Sequence, residues 1–291
     1  MNRGGLRYQF ASLSIAEKLI AINGGVFVLN ALVPFLLGLA PDAIDRWFAL
    51  PRNLGDFITQ PWSLVTYSFF HGSLGHIFWN MLLLYFAARI FLNVFGSRRF
   101  VNVYFLGVIF GGLLFMLSYN IFPAFMGVNS TLIGASAGVT SVLIFICAYM
   151  PNQEVRAIFF NVKLWQLGLV VVLIDLIQIP YGTNAGGHLA HLGGAALGYL
   201  YGRQLLNGHD IGEGFSKMLD GISGFFKAKE KKAPLKTVYR KQKTTVSSSV
   251  NYDKELHQRK IDAILDKIGK SGYESLSKTE KDFLFKAGKE D

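Results

Sequence analysis

Charge and cysteine are what this sequence has least of. Only 16% of its 291 residues are charged, and cysteine occurs once. Soluble domains carry nearer a quarter charged residues, so a chain-wide water-soluble globule is disfavoured. The single Cys147 excludes an intrachain disulfide. It sits inside an apolar run and reads as a small apolar filler. No nucleic-acid motif and no inverted repeat is apparent. The shortage of charge is also local. Residues 1–206 hold 11 Lys+Arg and 6 Asp+Glu, whereas residues 207–291 hold 18 and 13.

What fills the first part is apolar. The chain is 51% hydrophobic, with a mean hydropathy of +0.34. A bilayer core needs about 20 apolar residues per helix. Six spans fit, at roughly 17–39, 73–95, 101–120, 133–150, 162–180 and 186–206. The fourth and sixth are rich in Gly and Ala, which lowers their hydropathy. The N-terminus opens with polar and basic residues, and the first apolar run is long enough to stay in a membrane, so no cleaved leader is expected.

Loop charges set orientation. Arg3, Arg7 and Lys18, then Arg98 and Arg99, then Arg156 and Lys163 against Glu154, then Arg203 and the basic tail all fall on one side. That side is expected to be cytoplasmic, with both termini there. On the other side the 40–72 segment holds Trp47, Phe48, Phe57 and Trp62. Such aromatics favour the membrane–water interface, so this segment is expected to lie partly in the outer leaflet.

The organisation expected is a membrane core at 1–206, a basic linker at 207–250 and a small helical cytoplasmic extension at 251–291. Within the extension, Ile261, Ile264, Leu265 and Ile268 share one helical face. A turn follows at Ser271-Gly272, and Ser277 with Glu280 makes a capping-box pattern before Phe283 and Leu284. The tail's positive charge fits attraction to anionic lipid head groups.

Three polar clusters interrupt the apolar part. HGSLGHIFWN supplies His71, His76 and Asn80. GASAG supplies Gly134, Ser136 and Gly138. GGHLAHLGGAALG supplies His188, His191, Gly194 and Gly198. In the expected topology the second, fourth and sixth spans all start at the outer face, and each cluster lies near that start. At 1.5 Å rise per residue, Ser136, His76 and His191 fall at one depth, roughly 5–10 Å in. Polar groups at such depth face a protein interior or a wet cavity. His76 and Asn80 share a face at i, i+4. Gly134 with Gly138, and Gly194 with Gly198, are small-xxx-small pairs that let helices approach closely.

A serine hydroxyl is a weak nucleophile until a base takes its proton. His191 can be that base. Asn80, His76 and the backbone N–H of Ser136 are candidate donors to the oxyanion of a tetrahedral intermediate. Asp175, in the fifth span, could complete a triad by orienting His191, but it lies near the outer end of its span and could equally be solvated or bond a loop, so it is set aside from the expected machinery. His188 and His71, at span edges, read as structural. No metal is expected, since His76 and His191 come without Glu, Asp or Cys at zinc-site spacing. No cofactor is expected either.

In the order and placement of these motifs, residues 1–206 resemble the rhomboid family of intramembrane serine proteases. The resemblance implies an all-α, six-transmembrane-helix bundle with a helical C-terminal cytoplasmic extension, of bacterial type and in a bacterial inner membrane. It implies a Ser136–His191 dyad without a catalytic acid, an oxyanion site at His76 and Asn80, a loop-fixing role for His71, and Trp62 as a first-loop aromatic. The partners implied are transmembrane protein substrates and the lipid bilayer, with no nucleic acid. Four positions depart from the family pattern. Ala137 follows the serine where Gly is usual. Thr140 stands where an aromatic often packs on the catalytic histidine. Ser63 follows Trp62 where Arg is common, and Leu92 or Asn93 stands where a Glu is common. The rival reading is a non-catalytic rhomboid-like protein that holds membrane clients; a transporter built around Asp175 and the histidines is a third.

Overall fold

A computed structural model of the chain describes residues 5–157, 160–181, 184–226 and 250–288. The chain divides into two units, 1–228 and 229–291.

The first unit is a helical bundle. Its long helices are α1 (Ile15–Leu37), α2 (Leu74–Val94), α3 (Ser97–Ile121), α4 (Ser136–Tyr149), α5 (Leu164–Tyr181) and α6 (Ala185–Leu206). Four of them, α1, α2, α3 and α5, are long and apolar enough to cross a membrane. α4 is apolar but only 14 residues long, and α6 is long but diluted by glycine and alanine. Local signals set the ends. Ser14 and Glu17 close a capping box on α1. Gly38 ends it in the left-handed region at φ 63°, a conformation that favours glycine. Ser73 caps α2 by accepting from His76 N–H.

α4 is the centre. Every residue from Ala137 to Ala148 is buried, packed by α6, α3 and α2. An apolar helix hidden on all sides belongs to the middle of a bundle. Phe145 of α4 and, beside it, Phe91, Phe100, Tyr104 and Tyr201 are fully buried. α1 and α5 lie at the periphery and expose Phe35, Leu36, Leu173 and Ile177. In water such a surface would drive association, whereas in a bilayer it is solvated by lipid.

The 40–72 segment is folded. Within it, β1 (Leu50–Pro51) pairs antiparallel with β2 (Thr131–Leu132), with Leu50 opposite Leu132. Phe48 stacks on Phe70 at 5.1 Å. Trp62 donates its Nε1–H to the Trp47 carbonyl at 2.8 Å. Both tryptophans remain about half exposed. A hairpin of β3 (Glu154–Ala157) and β4 (Phe160–Lys163) joins α4 to α5.

The 207–250 stretch, expected to be linker, contains α7 (Glu213–Phe226). Phe215, Met218, Leu219 and Ile222 recur at helical spacing there. α7 is held to α3, since Asn102 donates to the Gly212 carbonyl at 3.0 Å and to Ser216 Oγ at 2.8 Å. Residues 227–249 of that stretch lie outside the described residues.

The second unit contains α8 (Val250–Ser271) and α9 (Lys278–Ala287), with a positive-φ Gly272 at the turn. Ser277 and Glu280 form the capping box expected there. Lys267 donates to both Glu280 oxygens at 3.0 and 2.9 Å. Of the four residues expected on one face, Ile264 is buried and Ile261 and Ile268 are half-buried, while Leu265 is 52% exposed. A two-helix contact covers a narrower stripe than the periodicity suggested.

Candidate active site

Ser136 is the first residue of α4. The Val139 N–H is bonded to the Ala135 carbonyl at 3.0 Å, so the N–H groups before it lack intrahelical acceptors. They point out of the helix N-terminus, where partial positive charge favours an anion.

The loop before Ser136 is held from three sides. β2 pairs with β1. Gly134 N–H donates to the Tyr67 carbonyl at 3.0 Å. Ala135 N–H donates to His71 Nε2 at 3.4 Å, and His71 is buried. Gly134 has φ +124°, and a Cβ there would lie 2.7 Å from His76 Nε2 and 3.6 Å from Ser136 Oγ. Its missing side chain is what lets the His76 imidazole approach the serine.

α2 supplies His76 and Asn80. Gly72 N–H donates to His76 Nδ1 at 3.4 Å, which leaves the neutral ring's proton on Nε2, the nitrogen nearest Gly134. Asn80 is buried and donates to the His76 carbonyl at 2.9 Å.

α6 supplies His191. Asn184 caps this helix by accepting from Gly187 N–H at 3.1 Å. The helix meets the others through glycines. A Cβ on Gly194 would lie 2.1 Å from the Ala137 carbonyl oxygen, and one on Gly198 would lie 2.2 Å from that of Ser141. Gly193 faces α3, where its Cβ would lie 2.7 Å from the Phe110 carbonyl oxygen. No side chain fits at either seam, so α6 lies directly on the α4 backbone just below Ser136.

α5 completes the site with a residue that sequence reasoning set aside. Asp175 is buried, and its Oδ1 lies 2.8 Å from His191 Nδ1 and 2.8 Å from His188 Nδ1. The carboxylate accepts from both rings. Asp175 is thus neither solvated nor bonded to a loop, which corrects the reading that set it aside, and His188, read as structural, makes its hydrogen bond to that same carboxylate. The signal in the sequence was an acid in an apolar span, a placement that is costly without a partner. Its partners lie 13 and 16 residues away on the next helix, so spacing alone could not name them. Thr140, standing where an aromatic was expected against the histidine, lines the same cleft. The imidazole's support comes from the carboxylate instead.

Gly134 and Gly138 also need correction, since they do not form a helix seam. Gly134 precedes the helix, and only Gly138 lies within it, where a Cβ would lie 2.7 Å from the Tyr104 ring.

His76, Asn80, Ser136, Thr140, Asp175 and His191 line one cleft of about 410 Å³. Its walls are apolar residues of α2 (Trp79, Leu83) and α5 (Val171, Ile174). Chemically the cleft combines a hydroxyl, an imidazole backed by a carboxylate, and donors grouped at a helix N-terminus. That is the inventory for acyl transfer through a serine nucleophile.

A family profile described as Rhomboid domain matches residues 59–208, over half of the chain. A second, described as a family of unknown function (DUF6576), matches residues 244–287. Among curated proteins, the chain is 28% identical over 206 residues to the presenilin-associated rhomboid-like protein, mitochondrial, of Rattus norvegicus, covering 69% of this chain and 51% of that protein. It is 26% identical over 215 residues to RHOMBOID-like protein 12, mitochondrial, of Arabidopsis thaliana, covering 67% and 60%. It is 27% identical over 191 residues to Rhomboid protein 1, mitochondrial, of Saccharomyces cerevisiae, covering 65% and 52%. The chain spans about half the length of the curated relatives it matches.

Proposed function

The chain belongs to the rhomboid family, and from that premise we propose that it is a serine endopeptidase cutting transmembrane protein substrates inside the bilayer. The observation that carries the reading is the hydrogen bond between Asp175 and His191 Nδ1, made in the cleft that Ser136 also lines. A carboxylate accepting from Nδ1–H leaves the His191 Nε2 lone pair free. Nε2 takes the Ser136 proton as Oγ attacks the scissile carbonyl, and returns it to the leaving amine. The imidazolium formed between these steps is stabilised by Asp175. The oxyanion is held by His76 Nε2–H, the Asn80 amide and the backbone N–H of Ser136. Relative to the expected dyad, the acid is the addition.

The apolar walls of α2 and α5 suit a substrate that arrives from lipid. An intact helix hides its peptide bonds in its own hydrogen bonds. Substrates with Gly, Pro or polar residues near the cut therefore unwind into the cleft more readily.

The protein is a multi-pass membrane protein. The expectation of a bacterial inner membrane gains no support from the relatives named above, which are mitochondrial. We take residues 1–206 as the proteolytic core, with both its ends on the positively charged side of the membrane, and 251–291 as an accessory extension.

The test is cleavage of a reporter transmembrane substrate in lipid by the parent protein and by Ser136→Ala. The parent should cleave and the variant should not. Equal cleavage by both would remove Ser136 from the chemistry. Absence of cleavage by either, with substrate still co-purifying, would favour a client-binding protein.

A further inference from the structure

The carboxylate that steadies His191 is shared. Proton transfer to and from Ser136 requires one imidazole, yet Asp175 Oδ1 serves two, each at 2.8 Å. His188 and His191 lie three residues apart on α6, with ring centroids 5.6 Å apart. One ligand atom from each of Asp175, His188 and His191 lies within 4.8 Å of the others. The carboxylate side chain is 7% exposed and the imidazoles 17% and 22%. The group is therefore mostly withdrawn from solvent but touches the cleft. Two imidazoles and one carboxylate make a donor set that suits Zn²⁺ and neighbouring divalent ions. Zinc bonds of about 2.0–2.2 Å in tetrahedral geometry put ligand atoms about 3.3 Å apart. Opening the two carboxylate contacts by about half an ångström, with the two imidazole nitrogens brought to the same spacing, would admit the ion, with the fourth position left to water from the cleft.

We propose that Asp175, His188 and His191 form a site for Zn²⁺ or a similar divalent transition-metal ion, and that filling it switches the protease off. The inhibitory part rests on the proteolytic reading above; the binding part does not. The chemistry follows from the tautomer. A neutral imidazole that coordinates through Nδ1 carries its proton on Nε2. His191 then has no Nε2 lone pair with which to take the Ser136 proton. Asp175 is withdrawn from His191 at the same time. Metal occupancy and the catalytic tautomer are mutually exclusive, so no contact between metal and substrate is needed. Spacing along the chain hid the site because the acid comes from α5 and both histidines from α6.

The test uses the full-length protein, stripped with EDTA and held in lipid. Zn²⁺ binding is followed by calorimetry, with Co²⁺ absorption as a second probe of tetrahedral nitrogen–oxygen ligation. One equivalent should bind to the parent and, with equal affinity, to Ser136→Ala, which reads the site without turnover. His188→Gln should weaken binding at least tenfold. Zn²⁺ should also inhibit parent cleavage reversibly, and His188→Gln should shift that inhibition curve by the same factor. Asp175→Asn should weaken binding in parallel, which guards against a folding defect peculiar to one variant. Stoichiometric binding without any cleavage by the parent would leave the site standing and sink the proteolytic reading. Binding unchanged in both variants, or absent at micromolar Zn²⁺, would overturn the site. Cleavage that proceeds unaltered with the site filled would overturn the inhibition.

Discussion

A carboxylate in an apolar helix persists only when partnered, and Asp175 is partnered by His188 and by His191, the proposed base. Replacing it with Asn keeps the size and one acceptor but removes the charge that, in the proposed mechanism, stabilises the imidazolium. We expect Asp175→Asn to lower kcat on the order of 100-fold or more, with a much smaller change in KM, because the interaction matters most after the proton has moved. Steady-state kinetics in lipid checks this, and an unaltered kcat would remove Asp175 from catalysis. At this scale the sequence was partly legible. Ser136, His191, His76 and Asn80 stand out because each is polar, near one end of an apolar span, and set in a recognisable motif. Asp175 was visible but unassigned. Its partners are fixed by how α5 lies on α6, and that is not a local property.

Among the elements, α4 and α6 decide whether the site forms. Their contact is backbone against backbone, and glycine is required where an added Cβ would meet a carbonyl oxygen at 2.1 or 2.2 Å. Such a clash cannot be relieved by turning a side chain. Gly198→Ala should therefore destabilise the bundle by about 1–3 kcal/mol and lower activity by displacing His191 from Ser136. Gly224→Ala, on α7 with nothing within 4 Å of the new Cβ, should be neutral or stabilising by about 0.5–1 kcal/mol. Thermal unfolding of both variants in one detergent checks the contrast, and equal melting temperatures would refute the close-packed seam. The sixth-span glycine pair was readable as a packing signal because its spacing puts it on one face. The same reading failed for Gly134 because the helix begins at Ser136, and helix starts depend on loop contacts.

For the molecule as a whole, a polar knot ties the end of the bundle to α7. Arg99 donates to Asp210 Oδ2 at 3.0 and 2.9 Å, and Tyr201 donates its hydroxyl to Oδ1. Burial alone would raise the Asp210 carboxyl, but the hydrogen bonds from Tyr201, Arg99 and Gly212 N–H outweigh it and hold the group below the ordinary carboxylate range. A depressed folded value stabilises the protein above the unfolded aspartate value of about 3.9, and that stabilisation is lost as pH falls through the folded value. Asp210→Asn should accordingly lower the melting temperature at pH 7, and its deficit should shrink once the pH is taken below about 4. A deficit that stays constant across that range would assign the effect to packing rather than charge. The sequence by itself determined the membrane class, the span positions and most of the polar residues near Ser136, because bilayer insertion and helix capping act locally and leave period, length and composition as their record. Only the tertiary structure decided that Asp175 and His188 join His191, that Gly134 opens space for His76, and that α7 is tied to α3. Those pairings bring together groups distant along the chain, and helix packing, not residue order, sets which of them meet.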